Sequence, residues 1–184
     1  MKAVNENVNE RQSGKAENTM RSIKLEKITL NCGAGVEPRK LEKSVRLLEM
    51  LGEGKIKKTY SKNRIPAFGI RIGQEIGCKI TLRKEKAERL LKRLLESLGN
   101  KLSPDQINPG SFAFGIKEYI EIPGVAYQRD IGILGFDVSV TLKRAGKRVE
   151  EKKVKKGKIG SGQKITKEET IKFMEEKFRI KIEG

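Results

Sequence analysis

The 184-residue chain has a formal net charge of +17, no histidine, and 36% hydrophobic but only 5% aromatic residues. Its length suits one domain of ordinary size with tails and excludes two full-sized domains. The N-terminus lacks the apolar stretch of a secretory signal, no apolar run approaches the roughly 18 residues of a membrane span, and two cysteines are too few for a disulfide framework. We therefore expect an intracellular, cytoplasmic protein without a membrane segment.

Two segments carry the whole excess of positive charge. The first basic segment, residues 55–93, holds 13 basic and 3 acidic side chains, and the second basic segment, residues 143–164, holds 10 and 2. The remaining residues sum to −1. Charge concentrated in this way favours phosphate binding, because each neutralised phosphate releases counterions. The alternative is a solubility device, although mixed charge would serve that purpose equally well.

Periodicity and turn residues predict the elements in chain order. They are a flexible N-terminal leader (1–19), a strand (20–31) with a bulge near Glu26–Lys27, a helix from Pro38 to Gly52, extended segments around a basic loop (55–83), a helix (84–98), a loop (103–111), extended segments (112–114 and 120–122), a strand (136–142), the second basic segment, a helix after a Thr166–Glu169 capping box, and an edge strand (179–182). No strict βαβ repeat appears, so we expect an α+β domain over residues 20–184. Its mostly antiparallel sheet has helices packed on one face and basic loops beside it.

A glycine-rich turn, Cys32–Gly35, joins the first strand to the first helix. The dinucleotide-binding pattern fails here because its third glycine falls at Pro38, and no Gly-Lys-Ser/Thr sequence follows Gly35. The turn therefore predicts a tight bend with close backbone approach rather than a phosphate site. The cations of the amphipathic helix 84–98 are interpreted as ordinary solvated surface.

Catalytic chemistry has little support in the sequence. The absence of histidine removes the commonest general base and metal ligand, and neither Cys32 nor Cys78 has a CxxC partner. Cys32 is typical of a small buried hydrophobe, and Phe112 and Phe114 of core rather than base-stacking residues. Four acids, Glu118, Glu121, Asp130 and Asp137, have no spacing that fixes a carboxylate pair. We therefore expect that the protein is not an enzyme and that it binds no metal ion or cofactor.

Several different short motifs follow one another between Met20 and the C-terminus. They are Met20–Lys27, Leu30–Gly35, Phe68–Arg71, Gly77–Arg83, Phe112–Glu118, Ile122–Val125, Ile131–Asp137 and Lys158–Gly160. In order and spacing they resemble the archaeal and eukaryotic form of the large ribosomal subunit protein L five family. The resemblance implies a non-catalytic α+β protein of the central protuberance. Its implied partners are 5S rRNA, large-subunit rRNA, the peptidyl-site tRNA and a small-subunit protein across an intersubunit bridge.

The resemblance also assigns residues to these contacts. It matches the family's 5S rRNA contacts to Asn31, Thr81 and Arg83, and we add Lys55 and Lys79 as candidate 5S rRNA-binding residues. A tRNA-proximal loop carries Lys62, Arg64 and Arg71, and the second basic segment supplies general rRNA-anchoring residues, Lys152, Lys153, Lys155, Lys156 and Lys158.

Two of these assignments have alternatives. Asn31 is also typical of a turn-forming amide at a strand end. The family's glutamine after the first helix is missing, so either Gly54 offers backbone only or Lys55 substitutes with a phosphate contact.

Two other hypotheses remain from the residues alone. An RNA-modifying enzyme would need a cofactor pocket or an acid–base pair, and cofactor-dependent turnover would distinguish it. A free RNA chaperone would not sediment with large subunits.

Overall fold

The structure, a computed structural model, describes residues 19–182, so the predicted leader lies outside the described residues except at Thr19. The described chain forms an α+β fold, which confirms the predicted class. Its strands are β1 (Lys24–Gly33), β2 (Ile56–Tyr60), β3 (Glu75–Leu82), β4 (Lys101–Leu102), β5 (Ile107–Asn108), β6 (Ser111–Ile116), β7 (Phe136–Lys143) and β8 (Lys181–Ile182). Its α-helices are α1 (Pro38–Leu51), α2 (Lys84–Ser97), α3 (Arg148–Glu151) and α4 (Lys167–Phe178).

The main sheet has six strands in the order β2-β3-β1-β7-β6-β5, and every neighbouring pair in it is antiparallel. β4 and β8 form a separate parallel pair. The central strand β1 shifts register against β7 between Leu25 and Lys27, which confirms the predicted bulge. Glu26 is therefore the extra residue of the bulged strand.

One face of the sheet packs against the helices. Alternation along β1 and β7 buries Ile28, Leu30, Val138 and Val140, and the leucine-rich faces of α1 and α2 cover that side. α4 adds Met174 and Phe178 to the same core and begins at the predicted capping box, where Glu169 N–H donates to Thr166 Oγ1 at 3.3 Å and Thr166 N–H donates to Glu169 Oε2 at 3.0 Å. On the opposite face of the sheet Asn31, Thr81 and Ser139 are exposed. No described helix is long and apolar enough to cross a membrane.

Several local predictions differ from the structure. The strand predicted over 20–31 begins only at Lys24, because Thr19–Arg21 form a 3-10 turn. The segment predicted as extended at 120–122 begins with a 3-10 turn, Tyr119–Glu121, and the Tyr119 hydroxyl accepts a hydrogen bond from Gln128 N–H at 3.0 Å. The predicted loop 103–111 contains the short strand β5, which pairs with β6. The tight bend is confirmed at Gly35 (φ +68°), but the close backbone approach lies across the ladder at Gly77, where a Cβ would meet the Cys32 carbonyl oxygen at 2.6 Å.

Candidate nucleic-acid interface

The candidate interface is the face of the main sheet opposite helices α1 and α2, called here the open face. It exists because strand residues alternate, so each buried residue of β1 is followed by one that points away from the helices. The side chains of this face are mostly small, polar or basic, with one acid: Lys57 of β2, Lys79 and Thr81 of β3, Lys27, Thr29 and Asn31 of β1, Asp137, Ser139 and Thr141 of β7, and Ala113 of β6. A flat surface of this kind leaves room for a polyanion to approach the strands.

Strand register brings three of the predicted 5S rRNA residues together. Asn31 pairs directly with Lys79, and the next open-face pair along the two strands is Thr29 with Thr81. Side chains paired in this way have Cβ atoms about 4.5–5.5 Å apart. An amide, an ammonium and a hydroxyl therefore lie within reach of one ligand. Asn31 and Thr81 are both exposed.

Positive charge lies on the β2–β3 side of this group. Lys57 pairs with Lys79 across the β2–β3 ladder, and Lys55 is exposed just before β2 begins. On the other side Asn31 pairs with Asp137 of β7. Because a carboxylate repels phosphate, this arrangement favours phosphate at Lys57 and Lys79 rather than at β7. Lys57 was missed from the sequence, although the alternation of β2 against Ile56 indicates its outward direction.

Arg83 follows β3 and lies at the end of the open face. Its Nη1 donates to Glu26 Oε1 at 3.2 Å, and its side chain is 54% exposed. Glu26 is a buried acid that sequence analysis did not assign to the site, although the predicted bulge marked its position. Burial alone would raise the pKa of Glu26. The hydrogen bond from Arg83 and the charges of Lys147, Lys143 and Lys27 together outweigh burial, and the pKa lies below its ordinary value.

The predicted tRNA-proximal residues lie on a separate projection, the loop from Ser61 to Gln74 that joins β2 and β3. Its base is closed by Ser61 N–H donating to the Gln74 carbonyl at 2.9 Å, and its tip by reciprocal backbone hydrogen bonds between Ile65 and Ile70 at 3.0 and 3.1 Å. Three cations are exposed on this loop: Lys62, Arg64 and Arg71. Phe68 is also 70% exposed. The loop is thus an ordered basic projection with an aromatic ring at its tip.

The second basic segment divides into one buried cation and a run of exposed ones. Arg144 is only 7% exposed, and its guanidinium donates to the carbonyls of Arg21 at 2.9 Å and Lys164 at 3.2 Å and to Glu169 Oε1 at 2.6 Å. The predicted anchoring residues are all exposed: Lys152, Lys153, Lys155, Lys156 and Lys158. The sequence analysis did not identify Arg144 as a structural residue. The alternation of buried residues along β7 nevertheless continues to position 144 and predicts that this side chain points to the buried side of the sheet.

The cysteines are poorly suited to nucleophilic chemistry. Cys32 and Cys78 pair across β1 and β3, and both are buried. Burial and the neighbouring Cys32 raise the pKa of Cys78 to about 12, which disfavours the reactive thiolate. The cations of α2 include Lys86, whose Nζ lies 2.9 Å from a Glu53 carboxylate oxygen, and Arg89, whose Nη2 lies 3.6 Å from Glu85. These pairs are in keeping with the interpretation of that helix surface as ordinary and solvated.

Comparison with known proteins identifies the family. A family model described as Ribosomal protein L5 matches residues 18–71, and a second model, which describes the C-terminus of the same ribosomal family, matches residues 75–173. The Large ribosomal subunit protein uL5 of Archaeoglobus fulgidus is 48% identical over 159 residues, 86% of this chain and 89% of its own length. Those of Methanosphaera stadtmanae and Nanoarchaeum equitans are each 42% identical over 167 residues, 90% of this chain and 99% of their own. The chain therefore belongs to the ribosomal protein L5 family, a family of large-subunit ribosomal proteins rather than enzymes.

Proposed function

We propose that this large-subunit ribosomal protein binds 5S rRNA through the open face of its sheet. The observation that supports this most is the placement of Asn31, Lys79 and Thr81 at neighbouring positions of β1 and β3, on the face opposite helices α1 and α2, where Asn31 and Thr81 are exposed. An amide, a hydroxyl and an ammonium offer donors and acceptors for base edges, ribose hydroxyls and phosphates. The arrangement is a surface for recognising a folded RNA.

The residues of the open face divide the work of recognition. Asn31 can both donate and accept at a ribose or base edge, and Thr81 supplies a hydroxyl beside it. Lys79 and Lys55 contact phosphates as point charges, while Arg83 is suited to forked contact with a phosphate. In protein–nucleic acid interfaces such phosphate contacts supply most of the affinity and fix the register of the protein on its RNA.

The loop from Ser61 to Gln74 contacts the peptidyl-site tRNA in this proposal. Support comes from its exposed cations, Lys62, Arg64 and Arg71. Phe68 adds an exposed ring on which a base can stack. The loop's backbone hydrogen bonds make it stiff enough to present these side chains together.

The second basic segment binds large-subunit rRNA without reading its sequence. Support comes from the exposure of its five lysines, Lys152, Lys153, Lys155, Lys156 and Lys158. Solvated ammonium groups give a salt-dependent, sequence-independent attraction to phosphate. On family membership alone, we also propose that the protein contacts a small-subunit protein across an intersubunit bridge and is part of the cytoplasmic ribosome. We propose that residues 20–184 form a single domain.

A binding experiment tests the proposal. The purified chain is titrated with an archaeal 5S rRNA and with a structured control RNA of equal length at several salt concentrations. We expect 5S rRNA to bind at least about tenfold more tightly at every salt concentration, with log K falling linearly against log salt. Equal affinity for the two RNAs would overturn the proposal and favour a general RNA chaperone.

A further inference from the structure

Glu26 lies between the two basic segments. Its Oε1 lies 3.2 Å from Nη1 of Arg83, the residue that follows strand β3 in the first basic segment. Its Oε2 lies 3.7 Å from Nζ of Lys147 in the second basic segment. The Glu26 side chain is 5% exposed, and its Oε2 accepts no hydrogen bond from a described residue. One buried carboxylate is thus shared by two cations that are far apart in sequence.

The bulge in β1 explains how an acid reaches this position. An extra residue in a bulged strand is re-aimed relative to the regular alternation, and Glu26 is that residue. Four cations act on its carboxylate, Arg83, Lys147, Lys143 and Lys27. Lys147 Nζ also lies 4.0 Å from Glu151 Oε1, so this cluster of six side chains has a net charge of +2. A carboxylate at its centre reduces the mutual repulsion of these cations and allows them to be close together.

We propose that Glu26 positions Arg83 for RNA and joins the two basic segments into one continuous phosphate-binding surface. The inference rests on the proposed binding of 5S rRNA to the open face. It goes further by placing Lys147 on the same RNA surface as Arg83, and by giving an acidic residue a favourable role in binding a polyanion.

The guanidinium of Arg83 remains able to bind RNA while it contacts Glu26. Only Nη1 donates to the carboxylate, and arginine has five N–H donors in a fixed planar arrangement. The hydrogen bond to Glu26 favours one orientation of this half-exposed side chain. Holding a long side chain in place before binding avoids an ordering cost that corresponds to about two- to twelvefold in affinity.

The test is a double-mutant cycle on the affinity of the full chain for 5S rRNA. Glu26→Gln is expected to weaken binding by about two- to twelvefold, although removing a negative charge would by itself tighten it. In an Arg83→Ala background, Glu26→Gln is expected to have no further weakening effect. Lys147→Gln is expected to reduce the slope of log K against log salt by about one for 5S rRNA.

Two further variants serve as controls for misfolding and for general effects of charge. Glu26→Asp keeps the charge but shortens the reach to Arg83, and it is expected to weaken binding as well. Glu88 lies on helix α2, away from the open face, and its Oε1 is 2.6 Å from Lys177 Nζ. Glu88→Gln therefore removes an acid outside the proposed site and is expected not to weaken RNA binding. Circular dichroism establishes that each variant is folded before its affinity is compared.

The outcomes separate this inference from the proposed function. If Arg83→Ala weakens 5S rRNA binding but Glu26→Gln and Glu26→Asp do not, Glu26 has no positioning role. Additive losses in the double variant would likewise overturn that role, and an unchanged salt slope for Lys147→Gln would overturn the continuous surface. If Arg83→Ala itself has no effect on 5S rRNA binding, the proposed function fails at that residue.

Discussion

The two basic segments have similar charge in the sequence but differ in how the structure holds it. In the first segment, Lys57, Lys79 and Arg83 lie in or beside the paired strands β2 and β3, so the ladder fixes their backbone and Glu26 holds the Arg83 side chain. In the second segment, the exposed lysines from Lys152 to Lys158 lie beyond the last long strand. Positioned charge suits recognition of one RNA, whereas unpositioned charge suits attraction to any RNA.

The largest expected effect concerns the buried cation of the second segment. Arg144→Ala removes the donor to Glu169 Oε1 and to two backbone carbonyls. Because Glu169 is one-third exposed and its Oε2 still accepts from Thr166 N–H, we expect a loss of about 1.5–3 kcal/mol in the free energy of unfolding. Denaturant unfolding monitored by circular dichroism measures this loss. Arg148→Ala, an exposed neighbour, is the matched control and is expected to change stability by no more than about 0.5 kcal/mol. Similar stabilities for the two variants would show that Arg144 is another solvated cation.

A medium effect is expected for the pH dependence of Glu26. Its lowered pKa means that the charged carboxylate stabilises the fold above the unfolded pKa of about 4.3, and that this contribution is lost as pH falls through the folded value. Because Arg83 is half exposed and partly screened, Glu26→Gln is expected to lower the free energy of unfolding by only about 1–2 kcal/mol at pH 7. The difference between the variant and the natural chain should shrink below about pH 4. A difference that is constant with pH contradicts the ion-pair explanation.

The smallest effect is expected in the exposed part of the second segment. Lys153→Ala removes one solvated cation, so it should leave stability unchanged and reduce the slope of log K against log salt by about one for every RNA tested. Salt titrations with 5S rRNA and a control RNA measure this. A loss confined to 5S rRNA would show that this segment also discriminates between RNAs.

Much of the fold was predictable because it depends on local patterns. The alternation of Phe136, Val138, Val140 and Leu142 predicted β7, and the Thr166–Glu169 capping box predicted the start of α4. The extended conformation predicted for 120–122 was wrong at its start, where Tyr119–Glu121 form a 3-10 turn and the Tyr119 hydroxyl accepts a hydrogen bond from Gln128 N–H. Propensity cannot report a contact of this kind.

The candidate site was predictable only in part, for a related physical reason. Asn31, Thr81 and Arg83 were identified from a family resemblance, but their juxtaposition depends on strand register, which the sequence does not specify by itself. Glu26 was predicted only as part of a bulge, and its partners Arg83 and Lys147 are distant along the chain. Counting charge by segment also could not separate Arg144, which holds the fold together, from the lysines that lie in solvent.

The division between positioned and unpositioned charge is tested most directly by the ratio of the Kd for a control RNA to the Kd for 5S rRNA at one salt concentration. Arg83→Ala is predicted to lower this ratio by about tenfold, because it removes a charge-assisted contact that only the correctly docked RNA can form. Lys153→Ala is predicted to leave the ratio unchanged while weakening both affinities slightly. Equal changes in the ratio for the two variants would contradict the account.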